Sequence, residues 1–402
     1  RGVQDGAVQE EARIVASLGR ALSAATEWDA VLACARDPNI DLVFSNTTET
    51  GIRLDTDDVP GPAAPRSFPG KLTRFLFERA QAFDYARERG VVVLPCELIE
   101  DNGEQLKQIV LQLAAQWSLG SRFTDWLEQA VPFCNTLVDR IVPGQPAPAE
   151  RARMWQELGY RDELLTSCEI YRLYAIQADA QTAARLTFTA ADPGIIVAAD
   201  IAPYRERKVR LLNGTHTIMV PCALLAGCET VADAVGDEQL GGFIRRALFD
   251  ELVPSTDVAA AEPFAHDVLD RFANPYIRHA LTDITLQQTA KMRLRVVPAI
   301  RDYGARFQRA PVSLAFGFAG YLLYVRDHGP RPDDEAVLVR AAWQAEGPEA
   351  IARAACRNTI VWGCDLAEIS GFAEQVAKYL EIMMRAGVRA ALDVHLAVPQ
   401  QV

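Results

Sequence analysis

The pattern of apolar and polar positions changes part-way along the chain. Up to about residue 200, short apolar runs alternate with longer segments whose apolar residues recur every three or four positions. The clearest apolar runs are 40–44 and 91–96, and helical spacing precedes or follows them at 10–36, 71–89 and 104–118. Strands that alternate with helices predict an α/β domain with a mainly parallel sheet covered by helices.

From residue 205 onward the spacing is almost entirely helical, which predicts an all-helical second part. The change near residue 200 therefore predicts two domains, 1–200 and 201–402. Proline- and glycine-rich breaks occur within the first part at 58–70 and 143–148. The predicted helical segments of the second part are 208–227, 238–253, 258–272, 276–300, 312–326, 334–344, 348–356 and 368–392.

Polar residues follow each apolar run of the first part. The run 40–44 leads into 45–51, the run 91–96 leads into 97–103, and a third polar-after-apolar element covers 133–144. Open α/β sheets present their ligand-binding loops at the carboxyl ends of parallel strands. Ordinary polar turns explain these segments equally well, because the same small polar residues favour turns.

The segment 204–216 brings a lysine, an asparagine and a histidine within nine positions. On an α-helix Asn213 and His216 lie roughly 140° and 80° around the axis from Lys208, so the three can face one cavity. Burial and neighbouring positive charge are what turn a lysine into a proton-transfer group, and arginines surround this one. A solvated basic helix face is the commoner explanation for such residues taken alone.

Charge and composition narrow the classes of function. The 402 residues carry a formal charge of −12, which argues against a general nucleic-acid-binding protein. No apolar run reaches the roughly 20 residues that cross a bilayer, so we expect no membrane-embedded part. The eight cysteines are scattered without a C-x-x-C pair and the five histidines show no metal-ligand spacing. We therefore predict a cytoplasmic protein with reduced cysteines and without a bound metal.

The lysine segment also carries a family resemblance. Lys208, the asparagine five positions later and the histidine three positions after that resemble the signature of the mannitol dehydrogenase family of polyol-specific long-chain dehydrogenases. Further stretches are similar to the tagaturonate reductase (altronate oxidoreductase) branch of that family. These stretches extend the resemblance over nearly the whole chain and comprise 42–51, 67–73, 94–99, 133–142 and 271–277.

The resemblance implies a Rossmann-like first domain, an all-helical second domain and an NAD-dependent, metal-independent reduction of a keto sugar acid. For the branch, this reaction interconverts D-tagaturonate and D-altronate in hexuronate breakdown. Lys208 is then the general acid and base, and the amides of Asn213 and Asn102 stabilise the developing oxyanion. His216 holds a substrate hydroxyl or orients the lysine.

Departures from the family pattern predict the substrate-binding residues. Polyol-specific relatives have a glutamate three residues before the lysine, where this chain has Arg205. They also have an arginine eight residues before the position of Lys291, where this chain has Asp283. His279 and Lys291, with Arg205 as a weaker candidate, are therefore predicted to bind the sugar acid, because cations suit a carboxylate.

The cofactor half of the site is predicted at the first strand edge. Asn46, Thr47 and Glu49 are its candidate residues, by position and by the resemblance. No G-x-G-x-x-G motif occurs, and the family's first strand and phosphate loop precede the position of Arg1, so we expect this chain as it stands to bind NAD weakly. Three alternatives remain: a fructuronate reductase, a mannitol or other polyol 2-dehydrogenase, and a catalytically silent sugar-acid-binding relative.

Overall fold

The computed structural model describes residues 1–328 and 335–398, and the chain in it forms two compact units. Residues 11–141 and 172–202 make up the α/β unit, whereas 1–10, 142–171 and 203–402 make up the helical unit. The last change from the α/β unit to the helical unit falls between residues 202 and 203, close to the predicted boundary at residue 200. The segments 1–10 and 142–171, which we placed in the first domain, pack with the second half of the chain.

The α/β unit contains two small sheets. Strands Leu42–Ser45 and Val92–Pro95 pair in parallel, and a parallel bridge from Val93 to Phe133 extends this sheet. In the second sheet, Leu173–Gln177 lies between Thr136–Asp139, to which it is antiparallel, and Ile195–Ala198, to which it is parallel. The helices of this unit are Trp28–Ala35, Phe68–Ala82, Asn102–Gln116, Ser121–Ala130 and Ala180–Ala183, with short 3₁₀ turns at Arg87–Arg89 and Thr187–Ala191.

The strand Val92–Pro95 is buried on both faces. Val93 packs into a cluster with helices Phe68–Ala82 and Asn102–Gln116, whereas Val92 and Leu94 pack into a second cluster on the opposite face. Successive side chains of a strand point to opposite faces, so a strand covered on both sides is apolar at every position. This is why its sequence is a continuous apolar run rather than an alternating one.

The helical unit is built around one long buried helix. In Val312–His328 every residue from Ser313 to Val325 is buried, which explains an apolar sequence without a polar face. The helix Phe372–Ala397 packs along it and is kinked at Gly387, whose φ of 85° favours glycine. The other helices are Pro148–Leu158, Ala202–Arg207, Gly214–Leu225, Val231–Gly236, Glu238–Arg245, Ala261–Phe272, Leu281–Ile284, Gln288–Lys291, Val297–Phe307, Ala336–Arg340, Pro348–Cys356 and Thr359–Trp362, with 3₁₀ turns Ala341–Gln344 and Leu366–Glu368 and a β-hairpin Gly2–Gln4 and Ala7–Gln9.

Three helices of this unit contain a π-helical segment. These segments are Lys208–Asn213, Arg246–Leu252 and Met292–Val296. A π-helical turn holds one residue more than an α-helical turn, and such turns occur often at functional sites. The first of them begins at the predicted catalytic lysine.

Two predicted helices differ from the structure. Helical spacing over 10–36 predicted one helix, but only Trp28–Ala35 is helical, and Ile14 and Leu18 are exposed. The predicted helix 276–300 is interrupted before Leu281 and again between Ile284 and Gln288. The first prediction was wrong because apolar spacing makes a helix only where another element covers its apolar face. The second was wrong although Leu281 and Ile284 are buried, because the backbone turns at Gln287, whose φ of 56° is left-handed. Residue 334, the first of the predicted helix 334–344, lies outside the described residues.

In the described part of the chain, no helix combines the length and the apolar character needed to cross a membrane. The general prediction of an α/β part followed by a helical part is confirmed. The strands are arranged in mixed sheets rather than in one parallel sheet.

Candidate functional site

The predicted lysine segment is one continuous helix with a π-helical centre. Ala202–Arg207 leads into the π segment Lys208–Asn213, which continues as Gly214–Leu225. The hydroxyls of Thr215 and Thr217 donate to the carbonyls of Leu211 and Asn213 at 2.6 and 2.7 Å. The angles that we derived for a regular α-helix therefore do not apply to Lys208 and Asn213, because the wider turn lies between them.

A second π-helical segment packs against the first. Met292–Val296 contacts Lys208–Asn213, and the backbone of Gly214 comes close to that of Arg295. A Cβ atom at Gly214 would lie 3.5 Å from the carbonyl oxygen of Arg295. The helix that carries the predicted substrate-binding residue Lys291 is thereby held beside the helix that carries the predicted catalytic residues.

His216 lies three residues after the first π segment, in the helix Gly214–Leu225. Its ring stacks on Phe272, with 4.0 Å between ring centres, and stands perpendicular to the ring of His279 at 5.1 Å. The side chain is buried, and within residues 1–328 and 335–398 its Nε2 has no hydrogen-bond partner. Burial, followed by the charges nearby, holds the pKa of His216 well below its ordinary value. His216 is therefore a neutral imidazole with one nitrogen available to a ligand.

The surroundings of His216 are electropositive. Besides burial and His279, the charges of Arg271, Arg295 and Lys291 lower its pKa. Arg271 is neutralised by a buried ion pair with Glu169 at 2.8 Å. Lys291 and Arg295 are half-buried cations, and Lys291 Nζ donates to the carbonyl of Ile284 at 2.8 Å.

His279 lies beside His216, but it does not carry the positive charge for which it was chosen as a substrate-binding candidate. Burial lowers its pKa below the ordinary value, and Asp283 offsets this only in part. A neutral imidazole can hydrogen-bond a sugar hydroxyl or a carboxylate, yet it adds no positive charge. Arg205 is half-buried in the helix Ala202–Arg207, one turn before Lys208.

The two predicted oxyanion donors are in different situations. Asn213 is half-buried, and its side-chain amide forms no hydrogen bond to any residue of the described chain. Asn102 is fully buried: its Nδ2 donates to the carbonyls of Pro95 and Glu97, both at 3.0 Å, and its Oδ1 accepts from Thr136 N at 2.9 Å. The amide of Asn102 is thus saturated by backbone groups, which is the geometry of a positioning residue rather than of an oxyanion donor.

The Asn-Gly pair at 102–103 joins two strand ends to a helix. A Cβ atom at Gly103 would lie 2.4 Å from the carbonyl oxygen of Cys134, so only glycine fits there. Together with Asn102 it fixes the start of helix Asn102–Gln116 against the ends of Val92–Pro95 and the start of Thr136–Asp139. The Asn-Gly pair therefore has a structural explanation.

At the first strand edge, Glu97 organises the polar loop. Its buried carboxylate accepts from Ser45 Oγ at 2.9 Å, from Thr47 N at 3.0 Å and from Thr47 Oγ1 at 2.7 Å. The hydroxyl of Thr47 is engaged in this way, whereas Asn46 and Glu49 are exposed. Amide and carboxylate groups at the shared end of two parallel strands suit the hydroxyls of a nucleotide ribose, so the loop fits that part of a dinucleotide.

Sequence reasoning missed Gln288, Arg295, Phe272 and Glu97. Phe272 and Glu97 stand in stretches that carried the resemblance, but their residue types indicate no chemistry on their own. Gln288 is buried, its Nε2 donates to the carbonyl of Thr217 at 2.8 Å, and its Oε1 has no partner in the described chain. That carbonyl is available because Pro221, four residues later in the helix, has no N–H to donate.

Comparison with known proteins agrees with these observations. The Rossmann domain of mannitol dehydrogenase matches residues 2–190, and the mannitol dehydrogenase C-terminal domain matches residues 200–384. The chain belongs to the mannitol dehydrogenase family. Members of this family are oxidoreductases that act on CH–OH groups, and so is this chain.

The relatives of this chain within the mannitol dehydrogenase family include curated altronate oxidoreductases. The protein of Pectobacterium atrosepticum is 40% identical over 98% of this chain and 84% of its own length. That of Bacillus subtilis is 38% identical over 98% and 82%, respectively. The predicted family and branch resemblance is confirmed by these matches.

Solved structures share the fold. A substrate-free D-sorbitol dehydrogenase superposes with a TM-score of 0.70 at 22% identity over 90% of this chain and 77% of its own. The Pseudomonas fluorescens mannitol 2-dehydrogenase, in a ternary complex with NAD and D-mannitol, has a TM-score of 0.58 at 22% identity, with 94% and 79% covered. The Rossmann-like domain indicates a nicotinamide cofactor. Within residues 1–328 and 335–398, His, Cys, Asp and Glu side chains form no cluster of three suited to a metal, and metal independence stays a prediction.

Proposed function

We propose that this chain is an NAD-dependent oxidoreductase that interconverts D-tagaturonate and D-altronate. The observation that carries the proposal is the pair of half-buried cations, Lys291 and Arg295, beside the neutral His216. A sugar acid brings a carboxylate that such cations can bind, whereas a neutral polyol does not. The similarity to altronate oxidoreductases over 98% of the chain supports the choice among sugar acids.

The proton is moved by Lys208. A nicotinamide cofactor, when bound, supplies hydride to the ketone carbon or removes it from the carbinol carbon. In the reduction the Lys208 ammonium donates a proton to the ketone oxygen, and in the oxidation the neutral amine takes the proton of the alcohol. The amide of Asn213 donates a hydrogen bond to the same oxygen as negative charge develops on it.

His216 positions the substrate. Its Nε2 is a buried polar atom without a partner in the described chain, so a sugar hydroxyl that binds here satisfies both groups. Because the imidazole is neutral, it exchanges no proton with Lys208 near neutral pH. On the cofactor side, Asn46 and Glu49 bind the ribose, while Glu97 and Thr47 hold their loop in place.

The reaction belongs in a reducing compartment under this proposal. All eight cysteines are free thiols, and burial raises the pKa of several of them, including Cys96 and Cys228. Free, protonated thiols are usual in cytoplasmic proteins, and we propose the cytoplasm as the location.

The test is NADH oxidation with D-tagaturonate beside D-fructuronate and D-fructose. We expect D-tagaturonate to be reduced with the highest kcat/KM, and Lys208→Ala to lower kcat by about 10²- to 10⁴-fold because general acid catalysis is lost. Lys378→Ala, at an exposed lysine of the helix Phe372–Ala397, is the matched control. Preference for D-fructuronate or D-fructose contradicts the substrate assignment, and undiminished turnover in Lys208→Ala contradicts the mechanism.

A further inference from the structure

The arginines of the helical unit differ in how their charge is balanced. Close to the candidate site, Arg271 pairs with Glu169, Arg210 pairs with Asp302 at 2.6 Å, and Arg293 pairs with Glu335. Arg295 forms no ion pair within residues 1–328 and 335–398. Its single hydrogen bond there joins Nη1 to the hydroxyl of Thr217 at 3.4 Å, which is long for such a bond.

The position of Arg295 makes this lack of a counter-charge costly. The side chain is half-buried, and burial lowers the pKa of its guanidinium. Taking an ion out of water costs free energy that only a partner of opposite charge returns. Removing such a residue is therefore expected to leave the ligand-free protein as stable as before or more stable, and a ligand of opposite charge explains why the residue is present.

Arg295 is also directed towards the candidate site. Its hydrogen-bond partner, Thr217, directly follows His216, and its charge is among those that lower the pKa of His216. Its backbone lies against Gly214, next to the π segment that begins at Lys208. Lys291, four residues earlier, acts on the same imidazole but donates to the carbonyl of Ile284.

We propose that Arg295 binds the substrate carboxylate and thereby sets the preference for a sugar acid over a neutral sugar. The planar guanidinium can hold both carboxylate oxygens, which the single ammonium of Lys291 cannot do. In this arrangement Lys291 adds positive charge near the carboxylate without holding both of its oxygens. This inference rests on the proposed sugar-acid substrate and names the residue that selects it.

The substitution Arg295→Met tests it, with Arg295→Lys as the charge-conserving variant. Arg301→Met is the matched control, because Arg301 is an exposed arginine of the following helix, Val297–Phe307. Each protein is assayed with D-tagaturonate and with D-tagatose, in which a CH₂OH group replaces the carboxylate. Binding of D-altronate is measured by calorimetry, which does not require turnover, and the thermal midpoint is recorded without ligand.

We expect Arg295→Met to raise KM for D-tagaturonate by about 10- to 100-fold, since a charged hydrogen-bonded contact is lost. The kcat/KM for D-tagatose should change less than about twofold, Arg295→Lys should recover part of the loss, and Arg301→Met should match the wild type. The ligand-free thermal midpoint of Arg295→Met should be unchanged or higher, because an uncompensated charge is gone.

Two results overturn the inference. If Arg295→Met impairs both substrates equally and lowers the thermal midpoint, Arg295 is structural. If D-altronate binds Arg295→Met as tightly as the wild type, Arg295 does not bind its carboxylate. Failure of the proposed function gives a different result: the wild type does not reduce D-tagaturonate. In that case calorimetry with D-altronate still shows whether Arg295 binds a sugar-acid carboxylate.

Discussion

A buried chain of polar groups in the helical unit predicts an unusual pH dependence of stability. Both carboxylate oxygens of Glu251 accept hydrogen bonds from the start of the helix Val312–His328, from Ser313 N at 2.6 Å and Leu314 N at 2.7 Å. The hydroxyl of Ser313 contacts His395 Nε2 at 3.3 Å, and the Nδ1 of that ring contacts the hydroxyl of Tyr379 at 3.2 Å. Glu251 and His395 are both buried.

The two groups shift in opposite directions because burial disfavours the charged form of each. Burial raises the pKa of Glu251 from 4.5 to about 7 and lowers that of His395 from 6.5 to about 4. Each difference spans about 2.5 pH units, which at about 1.36 kcal/mol per unit is worth about 3 kcal/mol of unfolding free energy. Glu251 contributes this stability below about pH 4.5 and loses it as the pH rises through about 7.

His395 contributes with the opposite sign. Its stability is present above about pH 6.5 and is lost as the pH falls through about 4. Between about pH 4.5 and 6.5 the two contributions therefore nearly cancel. On unfolding in this range Glu251 releases a proton and His395 takes one up. The unfolding free energy of the wild type therefore changes little with pH through these two groups.

Substitution of either residue exposes the other. The unfolding free energy of the wild type minus that of Glu251→Gln should fall by about 2 to 3 kcal/mol between about pH 5 and pH 8. The corresponding difference for His395→Asn should rise between about pH 4 and pH 6.5. Urea unfolding followed by tryptophan fluorescence measures both, where the m-value is unchanged. A pH-independent difference for Glu251→Gln, or the same sign for both variants, refutes the reasoning.

Two further predictions concern amides. Gln288→Met should lower the unfolding free energy by about 1 to 3 kcal/mol, because it leaves the carbonyl of Thr217 without a donor. The loss should be smaller in a Pro221→Ala background, where a backbone N–H can donate to that carbonyl. Equal losses in both backgrounds would contradict this explanation. Asn102→Ala should lower the urea midpoint of unfolding, because its amide bonds to backbone groups are lost. Asn213→Ala should leave that midpoint unchanged and lower kcat by about 10²- to 10³-fold. A stable Asn102→Ala with low kcat, beside an unstable Asn213→Ala with normal kcat, would mean that the two roles are exchanged.

Elements that are buried over most of their length were predicted well from the sequence. The strand Val92–Pro95 and the helix Val312–His328 lie within two residues of their predicted bounds, 91–96 and 312–326. Their apolar runs leave no polar face, so burial was the only consistent arrangement. The segment 10–36 failed because its apolar residues, such as Ile14, have the spacing of a helix but no neighbour to cover them.

The sequence by itself determined the family, the division into an α/β and a helical part, and the segment that contains Lys208, Asn213 and His216, because these depend on order along the chain. Only the tertiary structure decided which side chains are satisfied. Asn102 is saturated by three backbone segments, while the Oε1 of Gln288 and the charge of Arg295 lack partners in the described chain. Whether a polar group has a partner within the protein depends on residues far apart in sequence. The spacing of residues along the chain therefore could not have shown it.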